Sequence, residues 1–198
     1  MEHAMDLATH QRSLRSLIKD DGRFSPVGDP YLEAVAASDG LLAVREIVLW
    51  WRKLGLARSC VLTTRALRQK GVYDATVRSF VRAHQISPYA EELRQAFLAA
   101  MALQPDPLIA AVARFEEAVA GVKRGDAARY EIDWAHDPAA VLAALTREFP
   151  LEEERLRGRF RMVVERDGPG IVRVQSFEIE AGSPPVADDA VSPPPGSP

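Results

Sequence analysis

The sequence predicts an α+β protein, a helical N-terminal bundle followed by a small β-sheet unit with one helix. Two observations carry this. From Met5 to Val122 apolar residues recur at spacings of three and four, broken by glycine and proline, which is helical periodicity. After Gly125 the spacing falls to two, the period of a half-buried strand. A third observation sets the end of the fold. The last 17 residues, from Gly182, contain six prolines and no aromatic residue, too little apolar area to offset ordering. The implied division is a helical domain at 1–126, a strand-helix-strand-strand domain at 127–181 and a disordered tail at 182–198.

Met5 to Lys19 forms a first helix, with Leu7, Leu14, Leu17 and Ile18 on one stripe. "DDGRFSPVGDP" breaks it. Pro30 fits the first turn of a short helix through Ala37. Leu41, Val44, Val48 and Trp51 then mark a helix with one buried face, ended by Gly55. Val61 to Lys70 is closed by Gly71. Tyr73, Val77, Phe80, Val81 and His84 give the next helix. Another starts at Ser87 or Pro88 and turns Tyr89, Leu93, Phe97 and Met101 inward. Asp106 caps and Pro107 opens a helix carrying Leu108, Val112, Phe115, Val119 and Val122, stopped at Gly125. Tyr130, Ile132 and Trp134 alternate with acids as a strand. Asp137 caps a short helix. "RGRFRMVVERDGPGIVRVQSFEIEAG" reads as a hairpin turning at "DGPG". Phe177 and Ile179 lie on the parity opposite to Val172 and Val174, so a bulge is expected near Gln175 and Ser176.

The totals exclude several classes. The net charge of -3 gives no global attraction to nucleic acid or acidic lipid. One cysteine, Cys60, leaves no internal disulfide. No apolar run approaches the roughly 20 residues of a membrane span, and the N-terminus lacks the order of a signal peptide. A cytoplasmic protein is expected. Cys60 and His84 lack an oxyanion loop or a third orienting residue, so both are expected in or beside the core. His3, His10 and His136 are scattered, with no HxH, HExxH or CxxC, so neither a metal nor another cofactor is expected. With no catalytic constellation, the residues point to a binding protein rather than an enzyme.

The stretch Leu62 to His84 holds Arg65, Arg68, Lys70, Arg78 and Arg82 against Asp74. As a helix-turn-helix it has the turn glycine and the apolar anchors. Leu67 and Lys70 sit badly for that motif, and Asp74 would face phosphates. The other reading is a helical hairpin with a basic outer face, and the acidic total weighs against nucleic acid. Trp50 and Trp51 adjoin on one helix, about 100° apart. Trp51 falls on the core stripe. Trp50 is either core flank or a partner-contact residue.

"ISPYAEELRQAFLAAM" and "PDPLIAAVARFEEAVAGVKRGD" carry a resemblance. A Ser-Pro-Tyr helix start leads to an apolar stripe ending in Phe97. A Pro-initiated helix with an Arg-Phe-Glu core follows, then a compact strand-rich unit. The chain resembles the accessory partner proteins of multinuclear non-haem iron oxidases in ribosomal peptide (RiPP) biosynthesis, among them the partner subunit of methanobactin-type pathways and the "putative DNA-binding domain" family. The resemblance implies a non-catalytic accessory subunit, in a heterodimer with an iron-dependent oxidase subunit, that binds the precursor peptide. The iron ligands would belong to the oxidase. The alternative function is a helix-turn-helix transcriptional regulator.

A leader peptide without a fold of its own gains affinity by adding a strand to an open sheet edge. The strands Arg159 to Glu165 and Ile171 to Val174 are the candidate edges. Arg161, Val163 and Arg173 are the candidate peptide-binding residues. The two arginines fall on the outward parity, where they either meet acidic leader residues or guard an edge against aggregation.

Overall fold

The computed structural model describes residues 7–19, 28–84, 89–168 and 170–179. The helices α1 (Leu7–Lys19), α2 (Pro30–Ala36), α3 (Asp39–Ser59), α4 (Val61–Gln69), α5 (Tyr73–Ala83), α6 (Ala90–Ala102) and α7 (Pro107–Arg124) come first. They lead to β1 (Arg129–His136), α8 (Pro138–Arg147), the one-turn α9 (Glu153–Leu156), β2 (Arg157–Arg166) and β3 (Val172–Glu178). The α+β architecture is thus as the sequence indicates. The expected starts at Met5 and at Ser87 or Pro88, the proline of the "DGPG" turn and the tail lie outside the described residues.

Three helices start in one way. Asp29, Asp106 and Asp137 each accept backbone N–H bonds from the first turn, and the next residue is proline. The aspartate satisfies donors that the helix cannot, and proline has its φ set for the first position while lacking an N–H to strand. Helix α4 has no cap of its own, because Cys60 precedes it. The carboxylate of Glu116 on α7 takes that place, accepting from Leu62 N (2.8 Å) and Thr63 N (2.9 Å). Helix α7 stops at Gly125 with φ 91°, where the N–H of Asp126 reaches back to Gly121 O at 2.9 Å. A left-handed residue there favours glycine.

Helix α7 lies between two cores. Ile109 and Ala113 join Leu56, Leu67, Val77, Phe80, Leu93, Phe97 and Met101 in the first. Leu108, Ala111, Val112, Ala118 and Val122 join Ala66, Ile132, Trp134, Val141, Leu145, Met162 and Val164 in the second. The second core therefore crosses the 126/127 boundary, and the sheet unit has no apolar interior separate from the helices. Small residues permit the close approach: a Cβ on Gly121 would lie 2.3 Å from the Tyr130 hydroxyl oxygen.

Helix α3 corrects the sequence reading. It runs through Gly55 to Ser59, and its buried residues are Leu41, Leu49 and Leu56. Val44 and Trp51, expected inside, are exposed. Tyr89, also expected inside, is exposed at the N-cap of α6. The cause on α3 is an excess of apolar residues. They make two stripes, and spacing alone does not say which one packs.

The sheet is antiparallel in the order β1-β2-β3. The β2–β3 register is unbroken from Phe160 opposite Glu178 to Arg166 opposite Val172. The expected bulge at Gln175 and Ser176 is absent, so Phe177 stays on the outer face. The irregularity lies in β1 between Trp134 and His136.

Candidate functional site: an apolar helix face and a sheet edge

Leu49 holds α3 to the body, so the opposite side of the helix is free. Val44, Ile47 and Trp51 follow at three and four residues along it, and Trp50 adjoins them. Ile47, Trp50 and Trp51 are 55%, 55% and 60% exposed. The two indoles pack edge to face with centroids 4.8 Å apart, a favoured aromatic geometry. A groove of about 350 Å³ lined by Glu46, Ile47, Leu49, Trp50 and Lys53 runs beside them. Ion pairs flank it: Lys53 with Asp74 at 2.6 Å and Arg78 with Glu46 at 2.8 Å. An apolar centre with a charged rim is the anatomy of a docking face. Trp50 is thus a surface residue, and Trp51, the expected core residue, lies beside it.

The sheet revises the other candidates. Strand β2 is central, with β1 on one side and β3 on the other, so Arg159 to Glu165 offers no edge. Val163 is buried, opposite Glu131 on β1 and Gln175 on β3. In an antiparallel pair alternate residues exchange both backbone bonds. Ile179 N donates to Arg159 O at 2.7 Å, and Asp167 N to Ile171 O at 3.0 Å. This phase makes Val163 and Gln175 a bonded pair. The N–H of Val163 is therefore used inside the sheet.

The same phase turns the N–H and C=O groups of Val172, Val174, Ser176 and Glu178 away from β2, toward the free edge of β3. Six of the seven residues of β3 are exposed, so the strand is open along its edge and on both faces. The sequence reading placed an edge at Ile171 to Val174 and missed its continuation through Glu178. The alternation in "VRVQSFE" contained it, but the expected bulge concealed it.

Arg161 and Arg173 are both engaged. Arg161 donates to Asp133 on β1 at 3.0 Å, and Arg173 to Asp167 at 2.6 Å. Glu131 and Glu165 stand 4.0 and 3.9 Å from the same two guanidinium groups. Arg129 pairs with Glu131 at 2.7 Å. Three arginines thus interleave with four carboxylates over Val163, and the lattice presents no positive field to an acidic peptide. The geometry fits the protective reading of these arginines.

The basic hairpin is also tied inward. Arg65 pairs with Glu148 at 2.7 Å and donates to Leu145 O and Thr146 O at the end of α8. Lys70 bridges Asp106 and Glu153, both at 2.7 Å. The Arg68 guanidinium lies over the Tyr73 ring, 4.7 Å from its centroid. Arg65 and Lys70 brace α4 against the rest of the molecule, and Arg68 joins α4 to α5.

Cys60 is fully buried, and burial pushes its thiol up to about 12. A thiol held protonated is a poor nucleophile. His84 rests on the Phe80 ring at the end of α5, outside the core. Among the described residues no group of three or more His, Cys, Asp and Glu side chains is placed to hold a metal ion. No helix among them is long and apolar enough to cross a membrane.

His136 follows the β1 irregularity and is buried, and its Nδ1 has no hydrogen-bond partner among the described residues. Burial holds its pKa below the usual histidine value. The unfolded chain therefore takes up a proton first as the pH falls through about 6.5. Stability from this site is full above that pH and declines as the pH drops toward the lowered folded value. Melting temperature followed from pH 7 toward acid falls in this window for the natural chain, and His136→Asn flattens the fall there.

Comparison with protein-family models, curated proteins and solved structures finds no match to this chain.

Proposed function

We propose that the chain is a non-catalytic accessory subunit in RiPP biosynthesis, which docks an iron-dependent oxidase on the outer face of α3 and receives the precursor peptide along β3. The observation that carries this reading is the contiguous exposed stripe of Val44, Ile47, Trp50 and Trp51. A tryptophan pair beside a groove is the kind of anchor that dominates protein interfaces. The β3 edge supplies backbone donors and acceptors in an alternating array, which is what an extended peptide recognises. The inward ties of Arg65 and Lys70 speak against a duplex-reading hairpin, because a phosphate contact would compete with pairs already made.

The test is co-expression with an iron-dependent oxidase and a short precursor encoded beside this chain. Size exclusion at about 10 μM resolves a heterodimer if the dissociation constant is near 1 μM. The expected result is co-elution of the two subunits, with iron in the oxidase and precursor affinity raised in the pair. Separate elution with no affinity for the precursor sinks the proposal.

A further inference from the structure

A cleft of about 590 Å³ opens where the sheet meets the turn between α6 and α7. Leu103, Pro105, Pro107, Phe160 and Ile179 give it apolar walls, and Trp134 and Ala135 reach it from the β1 irregularity. Its size is that of an ordinary ligand pocket. Leu103 is 84% exposed, an unusual position for leucine beside so much other apolar surface. Gly158 shapes the wall: a Cβ there would lie 2.5 Å from the Phe160 ring, so only glycine leaves the ring where it lies.

The charges in the lining are unequal. Arg114 and Arg159 are the cations and Asp133 the carboxylate. Asp133 already accepts from Arg161. Arg114 gives one bond, to Ala102 O at 3.3 Å. Arg159 makes no ion pair with the described residues. The cleft also continues the β3 edge. The bond from Ile179 N to Arg159 O is the last rung among the described residues, and both residues line the cleft. A strand paired along β3 as far as Glu178 comes beside the cleft wall at Ile179.

We infer that the cleft is an anchor site for an apolar side chain with an adjacent carboxylate, supplied by the peptide that pairs with β3. This rests on the peptide-docking reading above. Backbone pairing along β3 is indifferent to sequence, and the cleft adds the selectivity. It admits an aromatic or aliphatic side chain between Leu103, Phe160 and Ile179, and Arg159 with Arg114 receives the carboxylate. Guanidinium–carboxylate bonds are directional, so the neutral amide of the same ligand binds less well.

The test uses the full chain, labelled with nitrogen-15, and N-acetylphenylalanine as the probe. Its size sets a dissociation constant of about 1 mM at ordinary ligand efficiency. The expected result is saturable shifts at Ala135, Gly158, Ile179 and the Trp134 indole, at least about fivefold weaker for N-acetylphenylalanine amide. Arg159→Glu weakens the acid about tenfold and leaves the amide unchanged. Absence of saturable shifts at those residues up to about 10 mM, or equal response to acid and amide, overturns the inference.

A second arm separates this inference from the reading it rests on. Alternating Thr-Val peptides with Phe-Glu at one end or the other are compared with the same peptides carrying Ser-Asn there. One Phe-Glu version binds at least about tenfold tighter if the cleft anchors an edge-bound strand, and equal binding by all of them overturns the anchoring role. The Ser176→Pro chain, disabled at the edge, keeps its response to N-acetylphenylalanine. If no peptide binds the natural chain while the acid does, edge docking fails and the cleft stands as a carboxylate site.

Discussion

Proline at Val163 unfolds the sheet unit, and proline at Ser176 leaves it folded. The two positions sit on adjacent strands with opposite backbone phase. The N–H of Val163 is used against Gln175 in the centre of the sheet. Proline there deletes that bond and sets its ring against a neighbouring strand, a loss on the order of 3 kcal/mol or more. Val163 is also buried, and its neighbours Met162 and Val164 belong to the core that includes α7, so the damage spreads. The N–H of Ser176 points to the free edge, a place in a sheet where proline is tolerated. Its predecessor Gln175 is already extended, as a residue before proline prefers. Circular dichroism and thermal melting check the fold, and precursor titration checks the edge. The expected pattern for Ser176→Pro is a melting curve close to the natural one with precursor affinity lost. Undiminished affinity in that folded variant moves the peptide away from β3.

Removing the indoles of α3 separates association from folding. Trp50→Ala and Trp51→Ala each weaken the oxidase complex by about 2–4 kcal/mol, roughly 30- to 1,000-fold, if they anchor the interface. Neither side chain contributes to the cores, so the isolated chain changes by no more than about 0.5 kcal/mol. Leu56→Ala, on the buried face of the same helix, is the control. Leu56 is fully buried and belongs to the first core, so its truncation costs about 2–5 kcal/mol of stability. Calorimetric titration of the partner and denaturant melting of the free chain read the two effects. A folded double alanine variant that binds the oxidase at full strength removes the α3 face from the proposal.

Particular residues show where the sequence was transparent. The aspartate–proline pairs at Asp29, Asp106 and Asp137 mark helix starts because capping is local chemistry, complete within four residues. Gly71 and Gly125 mark helix ends because a left-handed residue is a local need. Helix α3 was opaque for the converse reason. Leu41, Val44, Ile47, Leu49, Trp50, Trp51 and Leu56 support two stripes, and the packing of α1, α4, α5 and α6 on α3 decides between them. Strand order was equally hidden. The residues of β2 alternate as an edge or a central strand would, and only the position of β1 across from Asp133 to Arg161 makes β2 central. The engaged state of Arg161 and Arg173 follows from that order, since their acids come from β1 and from the hairpin end. The cleft joins residues from Leu103 to Ile179, a juxtaposition that no local pattern contains.

The position of α7 bears on how the chain can change over time. One helix supplies side chains to the core on either side of it, so the sheet unit has no interior without the helices. A substitution at Val112 or Ala113 is therefore felt by the bundle and the sheet together. The sheet unit is not a cassette to be exchanged between proteins. Substitution without that penalty is confined to the skin, as on the outer face of α3 and the rim of β3, where a side chain can be replaced without disturbing a core.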